Sequence, residues 1–193
     1  MALTDDRPLR ADARRNHTAI VKAARAVFAR HGREAQMDDV ARRAKVGVGT
    51  VYRHFPTKEA LLAACAQDRF AQLAEIAGEA LEIADPWDAL ETFLQRGAQL
   101  HASDRALSQM LMEWPALMRQ AASETGNLQP AIAELVARAQ AAGRMRPDAR
   151  WEDIPMTFCA LGHVEGPPRA SWQRMLALVI DGLRAPGPSP LPD

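Results

Sequence analysis

Seven of the 13 prolines, Pro56, Pro86, Pro115, Pro130, Pro147, Pro167 and Pro168, fall between stretches in which apolar residues recur at helical spacing. Proline lacks the backbone N–H that a helix interior needs and clashes with the preceding turn, so prolines placed this way punctuate helices. Between them the residue choice is one-sided, with 38 Ala and 19 Leu against 9 Val, 6 Ile and 7 Thr. Ala and Leu are strong helix formers, whereas β-branched residues favour strands. The pattern predicts an all-α chain of about nine helices. From Pro186 to Pro192 proline stands at every second position, which suits neither a helix nor a central strand. Residues 186–193 are therefore predicted to form a disordered Pro-rich tail.

The formal net charge of +0 is the sum of two opposed halves. Up to Lys58 there are 13 Lys+Arg and 6 Asp+Glu, giving +7; the remaining 11 and 18 give −7. A basic piece joined to an acidic one suggests a polyanion-binding segment and a second segment with other work. No apolar run reaches the roughly 18 to 20 residues needed to cross a bilayer, which argues against a membrane partner. Met1 to Arg15 has charges of both signs and no apolar core of a secretory signal, so the cytoplasm is the expected compartment. Cys65 and Cys159 lack CxxC spacing and sit in apolar surroundings, where Cys acts as a small hydrophobe. Cys159 and His163 stand four residues apart, but two ligands do not make a structural zinc site. No Ser-His-Asp, HExxH, phosphate-binding glycine loop or paired-carboxylate signature is present, so no enzyme activity, metal or cofactor is expected.

The basic piece has its own organisation. A first helix is predicted over Asp12–His31, with Ile20, Ala24, Val27 and Phe28 on one face and Gly32 at the left-handed position that ends it. A short helix over Met37–Ala44, a turn of Lys45-Val46-Gly47 and a second short helix over Val48–His54 follow. Two short helices joined in this way after a longer support send the second into a DNA major groove. On that helix Val51 points inward with Val48 and Phe55 near its side, while Gly49 and Arg53 lie opposite. Gly49 lets a backbone approach DNA, and Arg53 can pair bidentately with guanine. Arg7, Arg10, Arg14 and Arg15 form a basic arm, either a minor-groove contact or a mobile tail.

These residues resemble the TetR-type one-component transcriptional regulators. The match runs through Ala23-Ala24, Phe28, Gly32, Asp39-Val40-Ala41, Ala44, Val46, Gly49-Thr50-Val51-Tyr52, His54-Phe55-Pro56 and Thr57-Lys58-Glu59-Ala60-Leu61-Leu62. Arg138 to Gly143 followed by Arg146-Pro147-Asp148 looks like the regulatory domain of one branch. The resemblance implies DNA contacts from Gln36, Met37, Gly47, Val48, Gly49, Thr50, Tyr52, Arg53, His54 and Lys58, with Thr50, Tyr52, His54 and Lys58 on phosphates. Gln36 and Met37 stand where relatives usually carry Ser or Thr, and Gln36 can still donate through its amide. Thr57 is a candidate N-cap for the next helix.

A long helix over Lys58–Ile83 is expected to link the head to a helical bundle made by Trp87–Ala102, Arg105–Trp114 and Ala116–Gly143, the last broken near Gly126 and Pro130. The resemblance implies an effector pocket there. Phe70, Trp87, Phe93, Met110, Trp114 and Met118 are the candidate lining, with Glu113 and His101 as polar groups; the same residues at helical spacing also read as plain core. The final helices are predicted over Trp151–Val164 and Arg169–Leu183, with a start near Asp153 better accommodating Pro155. By resemblance they form a dimer interface, with Phe158, Leu161, Trp172, Leu176, Val179 and Leu183 as candidates. The expected domains are 1–57 for DNA binding and 58–185 for ligand binding and dimerisation. The expected function is a homodimeric repressor released from a palindromic operator on double-stranded DNA by an unidentified small, largely apolar effector. The alternatives are an architectural DNA-binding dimer without effector and, more remotely, a helical hydrolase using His101 or His163.

Overall fold

The computed structural model describes residues 7–103, 107–108, 111, 113–162, 171–185 and 189–191. Among them are nine helices: α1 (Arg7–His31), α2 (Met37–Ala44), α3 (Val48–His54), α4 (Lys58–Leu81), α5 (Pro86–Ser103), α6 (Pro115–Glu124), α7 (Leu128–Ala141), α8 (Asp153–Gly162) and α9 (Trp172–Leu183). Leu107, Ser108 and Leu111 are also helical, and the rest of the helix expected over Arg105–Trp114 lies largely outside the described residues. The expected boundaries at Val164 and Arg169 lie outside them too. The chain is all-α, and the described residues hold no strand beyond one bridge between Met145 and Arg184.

Local chemistry accounts for most boundaries. α1 begins at Arg7, ahead of the expected Asp12, because Pro8 is tolerated in a first turn. The arm carrying Arg7, Arg10, Arg14 and Arg15 thus has helical backbone continuous with α1. Gly32 adopts φ +54° after α1, and Lys45 ends α2 at φ 57°, its N–H reaching the Ala41 and Arg42 carbonyls. Thr57 caps α4, its hydroxyl accepting from the Ala60 N–H at 3.1 Å. α6 and α7 are separated at Thr125–Asn127, and Pro130 falls in the first turn of α7 instead of breaking it. α8 starts at Asp153, which puts Pro155 in a first turn as well.

Two apolar cores form. The head core gathers Ile20, Ala24, Val27 and Phe28 of α1, Val40 and Ala41 of α2, and Val51 and Phe55 from α3 and its C-cap. It does not stop at Thr57: Leu61, Leu62, Cys65 and Ala66 of α4 belong to it, as do Leu107, Leu111 and Ala121. The body core holds Leu73, Ala77 and Ala80 of α4 with Trp87, Leu90, Phe93 and Leu94 of α5, Ile132 and Leu135 of α7, Ile154 and Phe158 of α8, and Leu176, Ile180 and Leu183 of α9. α4 is shared by both, and Phe70 packs against each.

A polar clamp closes the C-terminal end. Arg146, buried, grips Asp148 through Nε and Nη2 at 2.6 and 2.8 Å and donates to the Gly182 carbonyl at 3.3 Å. That pairing holds the Asp148 carboxyl well below the usual carboxylate range, and the Leu191 N–H adds a bond at 2.9 Å. Ser189 accepts from Arg146 as well, so the described part of the Pro-rich tail is bonded to the body, in contrast to the disorder expected of residues 186–193.

Candidate nucleic-acid interface and internal cavity

α3 is anchored from below. Val51 is 0% exposed and Phe55 4%, while Val48 at 39% and Tyr52 at 47% face solvent together with Gly49 and Arg53. Thr50 and His54 are half-buried flanks. Val48 therefore lies on the outer side of the helix, not near the buried side as its spacing suggested. At Gly49 an added Cβ would meet nothing within 4 Å, so no packing inside the chain requires glycine there. Gly47, exposed at the N-cap, offers its carbonyl to the Thr50 and Val51 N–H groups at 2.8 and 3.3 Å.

The neighbouring candidates divide. Gln36 is exposed and spends its amide on the Glu34 carbonyl at 2.9 Å. Met37 is 8% exposed and part of the head core, so it does not reach the DNA face; its side chain at the start of α2 leans back among the apolar residues of the head. Lys58 is half-buried, donating to the Arg33 carbonyl at 2.5 Å with Nζ 5.8 Å from the Phe28 ring centroid. An ammonium has three donors, so that bond leaves two for a phosphate. His54 stands edge-on to His17 at 6.2 Å and tilted to Phe55 at the same separation. Burial, and then the neighbouring His54, lower the pKa of His17, with Asp68 opposing.

Ion pairs tie this head to the rest. Arg25 of α1 meets Asp68 of α4 at 2.7 Å, and Arg33 donates through Nε to Glu113 at 2.7 Å. Glu113 is thus exposed and engaged with the head, not a polar group of a pocket.

Where the two cores meet lies a cavity of about 230 Å³. Of the six candidate lining residues, Phe70, Phe93 and Met118 border it. Trp87 does not: it is buried in the body core, its Nε1 donating to Glu91 at 2.7 Å and its face covered by Arg184 at 4.4 Å. Trp114 is 42% exposed as the N-cap of α6, and Met110 lies outside the described residues. Among the residues that spacing did not assign to the cavity, Arg69, Phe158 and Cys159 also border it. Arg69 had a signal in the sequence. Leu62, Cys65, Arg69, Leu73 and Ala77 follow one another at three- and four-residue steps, so an arginine occupies a core register of α4. It is 2% exposed and donates to the Leu100 carbonyl at 3.5 Å.

His101 stacks on Phe158 at 5.2 Å, and its Nδ1 has no hydrogen-bond partner among the described residues. Burial first, then the Arg69 charge, bring its pKa down to about 3, so the imidazole is neutral at physiological pH. Burial raises the Cys159 thiol, with Arg69 opposing. The described residues contain no cluster of three or more His, Cys, Asp or Glu able to hold a metal.

The dimer candidates mostly face inward. Phe158, Leu161, Leu176 and Leu183 are buried in the chain's own core, and Trp172 and Val179 pack half-buried against it. The large apolar side chains that α8 and α9 present to solvent are Met156 at 68%, Met175 at 42% and Leu178 at 58%.

Comparison with known proteins agrees with this architecture. Residues 20–65 match the model of bacterial regulatory proteins, tetR family, and residues 85–185 match that of the SbtR-like transcriptional regulator C-terminal domain. A TetR transcription regulatory protein from Mycobacterium vanbaalenii is 35% identical, with a TM-score of 0.69 covering 92% of this chain and 100% of that one. A TetR transcriptional regulator from Streptomyces coelicolor is 32% identical, with a TM-score of 0.66 over 87% and 98%. FadR from Bacillus subtilis, solved in complex with stearoyl-CoA, shares the fold at 19% identity, with a TM-score of 0.67 over 87% and 97%. Among curated proteins none matches the chain.

Proposed function

The chain belongs to the TetR family of bacterial regulatory proteins, and from that membership we propose that it is a homodimeric repressor that leaves a palindromic operator when a small effector enters the cavity. The observation that carries the DNA-binding half is the outward side of α3, where Val48, Gly49, Tyr52 and Arg53 are exposed over a buried Val51 and Phe55. An edge with one guanidinium, one phenol and a bare backbone suits a major groove: Arg53 reads a base edge while Tyr52, Thr50 and Lys58 hold phosphates. Residues 1–57 supply most of this head, with Lys58 added and its core completed by Leu61, Leu62 and Cys65 of α4 and by Leu107 and Leu111, while the rest of 58–185 holds the effector and the partner copy. Two copies meet through Met156, Met175 and Leu178, and their α3 helices enter successive major grooves about 34 to 36 Å apart.

Effector control follows from two shared side chains. Phe70 and Met118 border the cavity and also pack against the head core. A ligand that prefers the cavity with these two displaced shifts the heads toward a spacing the operator does not fit, by as much as its affinity differs between the two arrangements. Catalysis has no part in this scheme.

Selection of bound sites from randomised DNA tests the reading. Recovered sites should be two inverted half-sites, bound with a steep salt dependence, and Arg53→Ala should relax preference at one position of each half-site. Equal affinity for the selected site and for random DNA would refute it.

A further inference from the structure

The first side chain of α3 points to one of the bases this protein reads, an inference that rests on taking the outward side of α3 as the face that meets a major groove. Val48 is 39% exposed and belongs to neither apolar core. Gly47 and Gly49 flank it, so neither chain neighbour has a side chain to shield it. A Cβ at Gly49 would meet nothing within 4 Å, and one at Gly47 only Thr50 Oγ1 at 3.9 Å. A single exposed valine needs no explanation on an ordinary surface. This one stands in a stretch, Arg42 to Arg53, whose charged residues are four exposed cations, Arg42, Arg43, Lys45 and Arg53, with no Asp or Glu among them. Arg42 is paired with Asp39 at 3.0 Å. A stretch of that sign draws a polyanion, and a valine has no donor to offer its phosphates.

What an apolar side chain can match in the groove is the C5 methyl group of thymine. Cytosine presents no methyl there, and a purine presents N7 with O6 or N6, polar atoms that a valine would cover without pairing. Val48 suits the contact sterically. Its β-branch leaves one strongly preferred χ1 rotamer in a helix, so little freedom is lost on docking, and the bare backbone at Gly47 and Gly49 can come close to the base edge. We propose that Val48 is a base-reading residue that selects thymine through its C5 methyl group. From Val48 to Arg53 the helix rises about 7.5 Å, or about two base-pair steps of roughly 3.4 Å. Each half-site should therefore carry a thymine about two or three base pairs from the guanine taken by Arg53.

Fluorescence-anisotropy titration with the site selected from randomised DNA tests it, with each thymine in that interval replaced in turn by deoxyuridine. The replacement removes one methyl group and keeps the base pair. At one position the wild-type protein should lose about fourfold in affinity per half-site, the worth of one methyl group removed from water. At the same position 5-methylcytosine should bind about fourfold tighter than cytosine, because it restores that methyl. Val48→Ser, at an exposed position, should bind the thymine and deoxyuridine sites alike. Should Val48→Ser fail to fold, the wild-type comparison of 5-methylcytosine with cytosine decides. A selected half-site with no thymine in the interval, deoxyuridine bound as tightly as thymine, or a deoxyuridine loss undiminished in Val48→Ser would overturn the assignment and leave α3 as the groove helix. Failure to select any site would overturn both.

Discussion

Replacing Gly97 by Ala sets two opposed effects against each other at a known distance. Gly97 lies within α5, where a methyl group in place of hydrogen favours the helix by about 0.8 to 1.0 kcal/mol. The new Cβ, however, would stand 2.5 Å from Cζ of Phe158 and 3.0 and 3.1 Å from its two Cε atoms. Carbon atoms pack at roughly 3.5 to 4.0 Å, so the ring must retreat by about 1 Å, and such overpacking costs about 1 to 3 kcal/mol. The net expectation runs from neutral to a loss of about 2 kcal/mol. Gly78 supplies the control: it is exposed within α4, and a Cβ there meets nothing within 4 Å. Gly78→Ala should therefore stabilise by about 0.5 to 1 kcal/mol. Urea unfolding of both variants at one protein concentration isolates the steric part as their difference. Phe158→Leu in the Gly97→Ala background should recover most of it as coupling in a double-mutant cycle. A Gly97→Ala protein as stabilised as Gly78→Ala would refute the close approach of α8 to α5, and with it the position of the Phe158 ring as a cavity wall.

Three further outcomes follow from named contacts. Thr57→Ala removes the cap on α4 and should cost about 1 kcal/mol in urea unfolding, while Thr57→Ser keeps the hydroxyl and should lose little. His101 has a folded pKa lowered to about 3, so below the unfolded value near 6.5 the unfolded chain binds a proton that the folded chain refuses. Stability present at neutral pH is then lost as pH falls from about 6.5 toward 3, by up to about 1.4 kcal/mol per unit; urea titrations at successive pH values should show that slope, and His101→Gln should flatten it. Leu178→Glu places a charge on the exposed apolar side of α9 and should shift sedimentation toward the monomer, with an unfolding midpoint for the single chain close to that of wild type.

The head was readable because its fold is decided over short distances. Val40, Ala41, Val51 and Phe55 reveal their inward direction by spacing alone, and Gly32, Thr57 and Pro155 mark helix ends by chemistry that acts within one turn. The body was less legible, since spacing tells that a helix has an apolar face and not what covers it. α9 is apolar over so much of its circumference that the wheel does not distinguish Leu176 and Leu183, which turn inward, from Met175 and Leu178, which turn out. Leu107 and Leu111 look like residues of the regulatory bundle, yet they complete the head core. Trp87 and Phe93 are equally apolar in sequence, and only long-range packing puts one beside the cavity and the other beneath Arg184. Arg69 is the instructive case: a cation in a core register is a local anomaly that can be seen without any structure.

The joint between head and body decides how an effector would be felt at the DNA. Two kinds of contact cross it. Arg25–Asp68 and Arg33–Glu113 are ion pairs in which the carboxylate partner is exposed or nearly so, a class worth about 0 to 1 kcal/mol each and weakened further by salt. Leu107 and Leu111, fully buried against the head core, contribute about 1.5 to 3 kcal/mol each by the area they remove from water. Apolar packing therefore dominates, and it passes through Phe70 and Met118, the same side chains that wall the cavity. In the proposed dimer, DNA binding by two heads of +7 would rest on phosphate contacts and should fall steeply with salt. On the proposed scheme, the factor by which an effector weakens that binding would rest on the apolar joint and have no such dependence. Raising the salt concentration should lower DNA affinity with and without effector in parallel, and a release factor that vanished with salt would assign the coupling to the ion pairs instead.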